Sequence, residues 1–237
     1  MVVPNKKTNS AVPVFLPRYV QTCLSGDYVM KLHPKAAPGI VAIKPFRCLS
    51  QRCPACARKR GSQDFLRLRR ALAPRLGWLH AVFTLDRDKT GSPQVGYRDI
   101  SRAWDRKIRP ALSRRFGKFT AIRVFHEHED GFPHSHIVMR NPALLKESKL
   151  EPRGLLRDLN ELAHRAGLGR VTECERVRGI GKIASYLIRT SREPGPHYVN
   201  APANTRLIQA SRGLIPRRRG SGLFTVEVVK RHSAGSP

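Results

Sequence analysis

Acidic residues are scarce in this sequence, with 17 aspartates and glutamates against 45 lysines and arginines in 237 residues. Long apolar runs are missing too, since no stretch approaches the roughly 18 apolar residues that span a bilayer. The first ten residues, MVVPNKKTNS, carry no apolar run behind their lysines, which excludes the pattern of a secretory signal peptide. These absences predict a protein that acts in the cytoplasm and has no membrane partner.

The resulting net charge of +28 is spread along the whole chain and is not confined to a tail. Such an excess repels itself unless a polyanion balances it, so the first partner to expect is nucleic acid. A basic surface that is merely solvated is the alternative. The sequence also lacks a Gly-x-x-x-x-Gly-Lys-Ser/Thr run, the loop that cradles nucleotide phosphates, so any helicase activity must come from another protein.

Cysteine occurs five times, an odd number, which together with the missing export signal favours a reducing compartment over a disulfide framework. Cys48, Cys53 and Cys56 stand just before a predicted helix, at a spacing that suits one tetrahedral Zn²⁺. We expect Cys23 as the fourth ligand of this structural zinc, with His33 as the alternative. Free thiols are the competing interpretation, because no second Cys-x-x-Cys is present.

Residues 78–177 alternate between strand and helix periodicity. Strands are predicted over WLHAVFTL (78–85), FTAIRVFHE (119–127), HSHIVMR (134–140) and LGRVTECERV (168–177), and helices over YRDISRAWDRKIRPALSRRFG (97–117), PRGLLRDLNELAHRAG (152–167) and, after the last strand, GIGKIASYLIRTSRE (179–193). Pro110 should kink the first helix, and Asp130-Gly131 should form the turn between the two middle strands.

The order β-α-β-β-α-β predicts an α+β fold of the ferredoxin-like, split βαββαβ type. In that fold both helices lie on one face of an antiparallel sheet and the other face stays open. We expect this sheet within a main domain over residues 61–231, which ends in a last strand, LFTVEVVK (223–230). Residues 1–60 should form a small N-terminal annex with the cysteine cluster, and residues 232–237 a disordered tail.

The segment EHEDGFPHSHIVM (127–139) brings an acid, a turn and two histidines together. Because strand side chains alternate, His134 and His136 share a face, and the apolar residues between and after them should pack on the helices. The imidazoles then lie on the open face. Folding the hairpin over its turn places Glu127 beside them, so one carboxylate and two imidazoles converge.

Two imidazoles and a carboxylate that leave coordination positions open suit a metal that acts on a substrate. The carboxylate and the expected nucleic-acid partner favour Mg²⁺ or Mn²⁺ in this site, while the imidazoles also suit Zn²⁺. His126 and His128 are expected to face away from the site. An exposed histidine pair that binds no metal is the alternative interpretation.

These residues resemble a known family. GFPHSHIVM preceded by FHEHED, with FTL on an upstream strand and a tyrosine-bearing helix downstream, resembles the rolling-circle replication initiators, the HUH endonucleases of small bacterial plasmids and single-stranded DNA phages. The resemblance covers residues 45–220, and some phage initiators carry a comparable cysteine cluster. Ser135 departs from the pattern, because the family usually has a bulky apolar residue between the two histidines.

The resemblance implies a ferredoxin-like HUH palm in a bacterial cytoplasm, with single-stranded or origin DNA as its substrate. It also implies a metal held by Glu127, His134 and His136, which polarises a phosphodiester while a tyrosine attacks it. The products are a 5′-phosphotyrosine link and a free 3′-OH that a host polymerase extends, with a separate helicase, before a later strand transfer religates the DNA.

The family's nucleophile is a tyrosine on a helix after the last palm strand, and Tyr186 is the candidate here. On a helical projection Tyr186 falls outside the apolar stripe and near Lys182 and Arg189, which would hold the phosphate and favour the phenolate. A surface tyrosine without a role is the alternative. Tyr198 is a second candidate nucleophile, although the prolines around it favour a loop.

Other functions share some of these features. A transposase or relaxase of the same superfamily would carry the same site. An RNA-recognition domain has the same strand order but stacks bases on exposed aromatics, of which the predicted open face offers only Phe125 and Trp78. A zinc hydrolase, or an iron enzyme with two histidines and one carboxylate, would use the metal, but neither accounts for the net charge or for Tyr186.

Overall fold

The structure, a computed structural model, describes residues 28–35, 42–45, 53–73, 77–189, 198, 200–202, 205–215 and 224–230. Its helices are α1 (Pro54–Leu72), α2 (Pro93–Ala103), α3 (Arg109–Phe116), α4 (Pro142–Leu150), α5 (Pro152–Arg165) and α6 (Ile180–Leu187). Its strands are β1 (Tyr28–Pro34), β2 (Ala42–Pro45), β3 (Leu79–Phe83), β4 (Thr120–Glu127), β5 (Pro133–Arg140), β6 (Val171–Arg176), β7 (Ile208–Ala210) and β8 (Phe224–Lys230).

Five of these strands form one antiparallel sheet in the order β6-β3-β5-β4-β7, so the predicted α+β class is confirmed. The hairpin between β4 and β5 is also confirmed. In its turn the amide of Gly131 donates to the carbonyl of His128 over 2.9 Å. Gly131 has a φ of +81°, which glycine adopts without the strain that a Cβ would add.

The helix predicted over residues 97–117 is divided into three parts. It begins as α2, where the side chain of Ser92 caps the backbone N–H of Val95. Residues Trp104–Ile108 form a π-helical turn, and the chain continues as α3 to Gly117. Pro110 lies in the first turn of α3, and its ring and missing N–H disturb the preceding turn. The predicted kink is therefore a local widening of the helix.

A separate apolar core lies on each face of the five-stranded sheet. One core packs the sheet on α2, α3 and α5, and includes Phe83, Ile100, Phe125, Ile137 and Leu159. The other packs the sheet on α1 and α6, and includes Leu68, Leu72, Val124, Val138 and Leu187. The expectation of an open face is wrong, because the apolar stripes of α1 and α6 also need a surface on which to bury.

The first and last described strands meet in a second sheet, whose three strands follow the order β2-β1-β8. The predicted last strand is confirmed as β8, and its partner is the N-terminal β1 along the whole of its length. Helix α1 runs through residue 60, where the sequence suggested the boundary of the annex. Residues 232–237, the expected tail, lie outside the described residues.

Among the described residues, no helix combines the length and the apolar character that crossing a bilayer requires.

Candidate metal centre and its tyrosine

Three imidazoles converge on the face of the sheet that α1 and α6 cover. His126, His134 and His136 each offer a nitrogen, and these nitrogens all lie within 4.8 Å of one another. The ring centroids of His126 and His136 are 4.3 Å apart, and those of His134 and His136 are 4.9 Å apart. His136 is 1% exposed and His126 is also buried, while His134 is half-buried, so the group lies mostly inside the protein.

The pairing of β4 with β5 explains why these three side chains meet. His126 lies opposite His134 and Val124 lies opposite His136, so the even-numbered residues of both strands share one face. That face carries His126, contrary to the expectation that it points away. The same expectation is wrong for His128, whose ring packs on His134 with 4.2 Å between centroids. Ile122 and Val124 lie on the same face and pack towards α1 and α6.

Glu127 is not part of this group, which corrects the predicted ligand set. It lies opposite Pro133, on the other face of the sheet, where its carboxylate accepts a hydrogen bond from the hydroxyl of Tyr97 over 2.8 Å. Tyr97 belongs to α2 and packs on Phe125 with 4.9 Å between ring centroids. Glu127 therefore ties β4 to α2, and His126 is the third side chain of the group.

The hydrogen bonds of the imidazoles leave nitrogen lone pairs directed inward. Nε2 of His126 donates to the carbonyl of Leu187 over 2.8 Å, which assigns the proton to that nitrogen and the lone pair to Nδ1. Nδ1 of His134 and Nε2 of His136 are buried without a hydrogen-bond partner. Buried polar atoms are rarely left unpaired, and a bound metal would satisfy both nitrogens. The three histidines therefore fit a metal ion.

The same burial keeps His134 and His136 neutral. Burial and, to a smaller extent, the like charges of His128 and His126 together lower the pKa of His134 to about 3. Burial also lowers the pKa of His136 far below its usual value. A neutral imidazole is the form that binds a metal, because a protonated ring has no lone pair to give. The group is ready to bind a metal at neutral pH.

A fourth histidine, which was not among the predicted ligands, extends this group. His80 on β3 is buried, and its Nε2 lies 3.1 Å from Nδ1 of His136. Its other ring nitrogen, Nδ1, lies 3.7 Å from a carboxylate oxygen of Glu173 on β6. The alternation of β3 contains the signal that would have found it, because His80 falls on the face opposite Leu79 and Ala81, which join the other core.

Tyr186 lies directly beside the imidazoles. Its ring meets the ring of His136 edge to face, with 5.1 Å between centroids and 88° between planes, and lies 6.0 Å from His80. Ala184 and Leu187 of α6 are fully buried against the sheet, while Tyr186 between them remains 39% exposed. The tyrosine thus contacts both the histidine group and the solvent.

A pocket of about 440 Å³ opens beside Tyr186, between β6 and α6. Lys182, Arg176 and Arg178 contribute cations to its wall, and Glu173 and Glu175 contribute carboxylates. The pocket therefore presents both cations and carboxylates beside the tyrosine.

Opposing charges act on the Tyr186 hydroxyl. Burial raises its pKa above the usual value, and Glu173 raises it further, whereas Arg189 lowers it. Both predicted cations therefore act beside the tyrosine. Lys182 lies in the wall of the pocket, and the charge of Arg189 reaches the Tyr186 hydroxyl. The phenolate needs additional positive charge to form at neutral pH.

Tyr198, the second candidate nucleophile, lies elsewhere. It is 1% exposed and belongs to the core on the α2 side of the sheet, away from the imidazoles. Its φ of +60° also places it in the left-handed region of the backbone. The structure does not bring it to the histidine group.

Of the predicted zinc ligands, the structure describes Cys53 and Cys56, which are both buried at the start of α1. Cys23 and Cys48 lie outside the described residues, and the structure describes the alternative ligand, His33, only as part of the backbone of β1. The structural zinc stays a prediction.

Comparisons of the chain with protein-family models, with curated proteins and with solved structures find no match in any of the three.

Proposed function

We propose that this protein is a metal-dependent DNA endonuclease and strand transferase, a rolling-circle replication initiator of the HUH type that nicks single-stranded origin DNA. The observation that carries the proposal is the 5.1 Å contact between the ring of Tyr186 and His136, a member of the three-imidazole group. A nucleophile and a candidate metal centre meet where a pocket opens to solvent. The net charge of +28 supports DNA as the substrate.

The connectivity of the main sheet supports this assignment. The chain runs from β3 through α2 and α3 to β4, then through the hairpin to β5, and through α4 and α5 to β6. The four strands lie in the order β6-β3-β5-β4, all antiparallel to their neighbours. This is the strand order of a ferredoxin-like palm, the fold that the resemblance to HUH endonucleases implies.

The nitrogen ligands favour Mn²⁺ or Zn²⁺ over Mg²⁺ at this centre. Mg²⁺ prefers oxygen ligands, and the sequence favoured it because Glu127 was expected to be a ligand. Glu127 instead accepts a hydrogen bond from Tyr97 on the other face of the sheet. His126, His134 and His136 would hold the ion. When bound, the metal would act as a Lewis acid that withdraws charge from the scissile phosphodiester.

The side chains around Tyr186 perform the remaining steps. Lys182 and Arg189 hold the phosphate and favour the phenolate, whose proton leaves to the solvent that reaches this partly exposed ring. The phenolate oxygen forms a bond to phosphorus as the bond to the 3′ oxygen breaks, and that oxygen takes a proton from water. A 5′-phosphotyrosine and a free 3′-OH result. A host polymerase extends the 3′-OH with the help of a separate helicase, and the reverse reaction with a 3′-OH religates the strand.

A base-stacking domain of the RNA-recognition type fits the geometry less well. Both faces of the sheet are covered, and the aromatics proposed for such a platform are buried. Phe125 packs on Tyr97, and the indole N–H of Trp78 donates to the carbonyl of Leu72. Bases would find no exposed aromatic on these two positions.

The test is covalent capture of DNA. The full chain is incubated with labelled single-stranded oligonucleotides that cover the candidate origins of its own replicon, with Mn²⁺ or with EDTA, and adducts are separated on a denaturing gel. Tyr186→Phe is the decisive variant, and Tyr198→Phe is its matched control, because it also removes one tyrosine hydroxyl. We expect a metal-dependent adduct with the unaltered protein and with Tyr198→Phe, and none with Tyr186→Phe.

If only Tyr198→Phe loses the adduct, the protein still carries out the proposed reaction, but the nucleophile is Tyr198 and not Tyr186. If no oligonucleotide gives an adduct while tight, salt-sensitive DNA binding persists, the protein is a binder and the proposal is wrong. A metal-dependent cleavage that leaves no adduct would instead indicate a hydrolase.

A further inference from the structure

His80 and His136 share a hydrogen bond that links the metal centre to the edge of the sheet. Nε2 of His80 and Nδ1 of His136 are 3.1 Å apart, and the two rings are nearly coplanar, at 8°. Both side chains are buried, with exposures of 2% and 1%. The two residues belong to neighbouring strands. β3 pairs with β5, and Val82 lies opposite His136 in this pairing.

The positions of the protons follow from which nitrogen must hold a lone pair. A hydrogen bond between two neutral imidazole nitrogens contains one proton, on one ring or the other. If His80 donated it, His136 would carry its own proton on Nε2, the buried nitrogen that has no partner, and could not bind a metal there. If His136 donates it from Nδ1, then Nε2 keeps its lone pair for the metal.

The second arrangement requires His80 to accept at Nε2 and to carry its own proton on Nδ1. That nitrogen lies 3.7 Å from the carboxylate of Glu173, which is half exposed. The distance is too long for a good hydrogen bond but short enough for the negative charge to favour a proton on the facing nitrogen. Glu173 therefore selects the arrangement in which His136 can bind a metal.

We propose that Glu173, His80 and His136 form a chain in which His80 and Glu173 are positioning residues for the metal centre. His80 fixes both the orientation of the His136 ring and the nitrogen of His136 that carries the proton. Glu173 fixes which nitrogen of His80 carries the proton. The inference rests on the metal centre of the proposed function, but not on the tyrosine or on DNA. Second partners of this kind are worth about 10–100-fold in metal affinity.

The test is a titration of the full chain with Mn²⁺ in the absence of DNA. The electron paramagnetic resonance signal of the free ion measures how much Mn²⁺ remains unbound. His80→Phe keeps a planar ring but removes the acceptor, and we expect it to weaken Mn²⁺ binding about 10–100-fold. His80→Gln puts an amide oxygen where Nε2 stands and should restore most of the affinity. Glu173→Gln removes the charge and should weaken binding less than His80→Phe does, because Glu173 is half exposed.

Glu175→Gln is the matched control. Glu175 lies two residues from Glu173 on β6, and together with His80 and Glu173 it forms a second group that could hold a metal by itself. We expect Glu175→Gln to leave the affinity unchanged and the unaltered protein to bind one Mn²⁺. Two bound ions, one of which is lost in Glu175→Gln, would show that His80 is a ligand of a second metal, and would overturn the proposal.

A second measurement reads the protons directly. Long-range ¹H–¹⁵N correlation spectra of the Zn²⁺-loaded protein should show His136 protonated at Nδ1 and His80 protonated at Nδ1. A His136 ring protonated at Nε2, or unchanged Mn²⁺ affinity in His80→Phe, contradicts the proposal. Failure of the unaltered protein to bind either metal contradicts it as well.

The DNA-capture assay separates this inference from the proposed function. Loss of metal affinity in His80→Phe without any covalent adduct in the unaltered protein supports the chain and rejects the nuclease. A covalent adduct in the unaltered protein, together with unchanged metal affinity in His80→Phe, supports the nuclease and rejects the chain. If His80→Phe does not fold, Glu173→Gln and the spectra of the unaltered protein still decide the question.

Discussion

The ring of Tyr186 stands perpendicular to the ring of His136, with 5.1 Å between their centroids, although the two residues come from distant parts of the chain. Helix α6 creates this contact, because its buried Ala184 and Leu187 press it on the sheet. The carbonyl of Leu187 also accepts the hydrogen bond of His126 over 2.8 Å. One helix therefore both presents the tyrosine and orients a member of the imidazole group.

His126 should matter to metal binding, and Glu127 should not. His126→Ala removes one of three imidazoles and is expected to lower Mn²⁺ or Zn²⁺ affinity by at least about 10-fold, as loss of a ligand or its orienting partner does. Glu127→Gln should leave the affinity unchanged, because this carboxylate bonds to Tyr97 on the other face. Calorimetric titration of both variants checks the prediction.

Tyr97→Phe is the control for Glu127→Gln, because it removes the donor of this hydrogen bond, whereas Glu127→Gln keeps an acceptor oxygen and removes only its charge. Tyr97→Phe should lower the free energy of unfolding by about 1 kcal/mol, and Glu127→Gln by less. Loss of metal affinity in Glu127→Gln, with His126→Ala unaffected, would restore the ligand set expected from the sequence.

The metal-free protein should lose stability as the pH falls below about 6.5, the ordinary pKa of histidine. Burial lowers the pKa of His80 to about 4 and that of His134 to about 3, so between these values and 6.5 the unfolded chain binds protons that the folded protein does not. The free energy of unfolding therefore falls with falling pH, by about 1.4 kcal/mol per unit for each fully titrating histidine.

Urea denaturation in EDTA at a series of pH values measures this slope. His80→Gln removes one of the titrating groups and should give a shallower slope over the same range. A free energy of unfolding that stays constant between about pH 6.5 and about pH 4 would show that these imidazoles are not buried as neutral groups.

Lys182 and Arg189 should each speed formation of the covalent adduct. Lys182 lines the pocket beside Tyr186, and the charge of Arg189 lowers the pKa of the Tyr186 hydroxyl. Lys182→Ala and Arg189→Ala are each expected to slow single-turnover adduct formation by about 100–1000-fold, the range for one lost stabilising donor. Lys182→Arg, which keeps the charge, should retain more of the rate than Lys182→Ala.

Surface lysines elsewhere provide the comparison. Lys149→Ala at the end of α4 removes the same charge away from the pocket, and should weaken DNA binding slightly without changing the rate at saturating DNA. If Lys182→Ala behaves in the same way as Lys149→Ala, then Lys182 contributes only general attraction for DNA.

Ser135→Ala should stabilise the protein. Ser135 is completely buried on the α2 side of the sheet, and its hydroxyl has no hydrogen-bond partner. Removing an unsatisfied buried hydroxyl is expected to raise the free energy of unfolding by about 1 kcal/mol, with metal affinity unchanged because the side chain points away from the imidazoles. Thermal and urea unfolding of the two proteins test this, and a loss of stability would show that the hydroxyl has a partner.

The sequence predicted much of the sheet because strand alternation and hairpin turns are local properties. The hairpin at Gly131, the strand that became β6 and the shared face of His134 and His136 all follow from neighbours in the chain. The sequence could not predict in the same way which residues of β4 face which helices. Apolar residues occupy both of its faces, with Ile122 and Val124 on one and Ala121 and Phe125 on the other, because helices cover the sheet on both sides.

By itself, then, the sequence determined the basic charge, the order of the elements and two of the three imidazoles. Tertiary structure decided the rest. The register of β4 against β5 selected His126 over Glu127, the pairing of β3 with β5 brought His80 to His136, and the packing of α6 brought Tyr186 over the group. These choices depend on contacts between segments far apart in the chain, and local periodicity carries no information about which distant surfaces will meet.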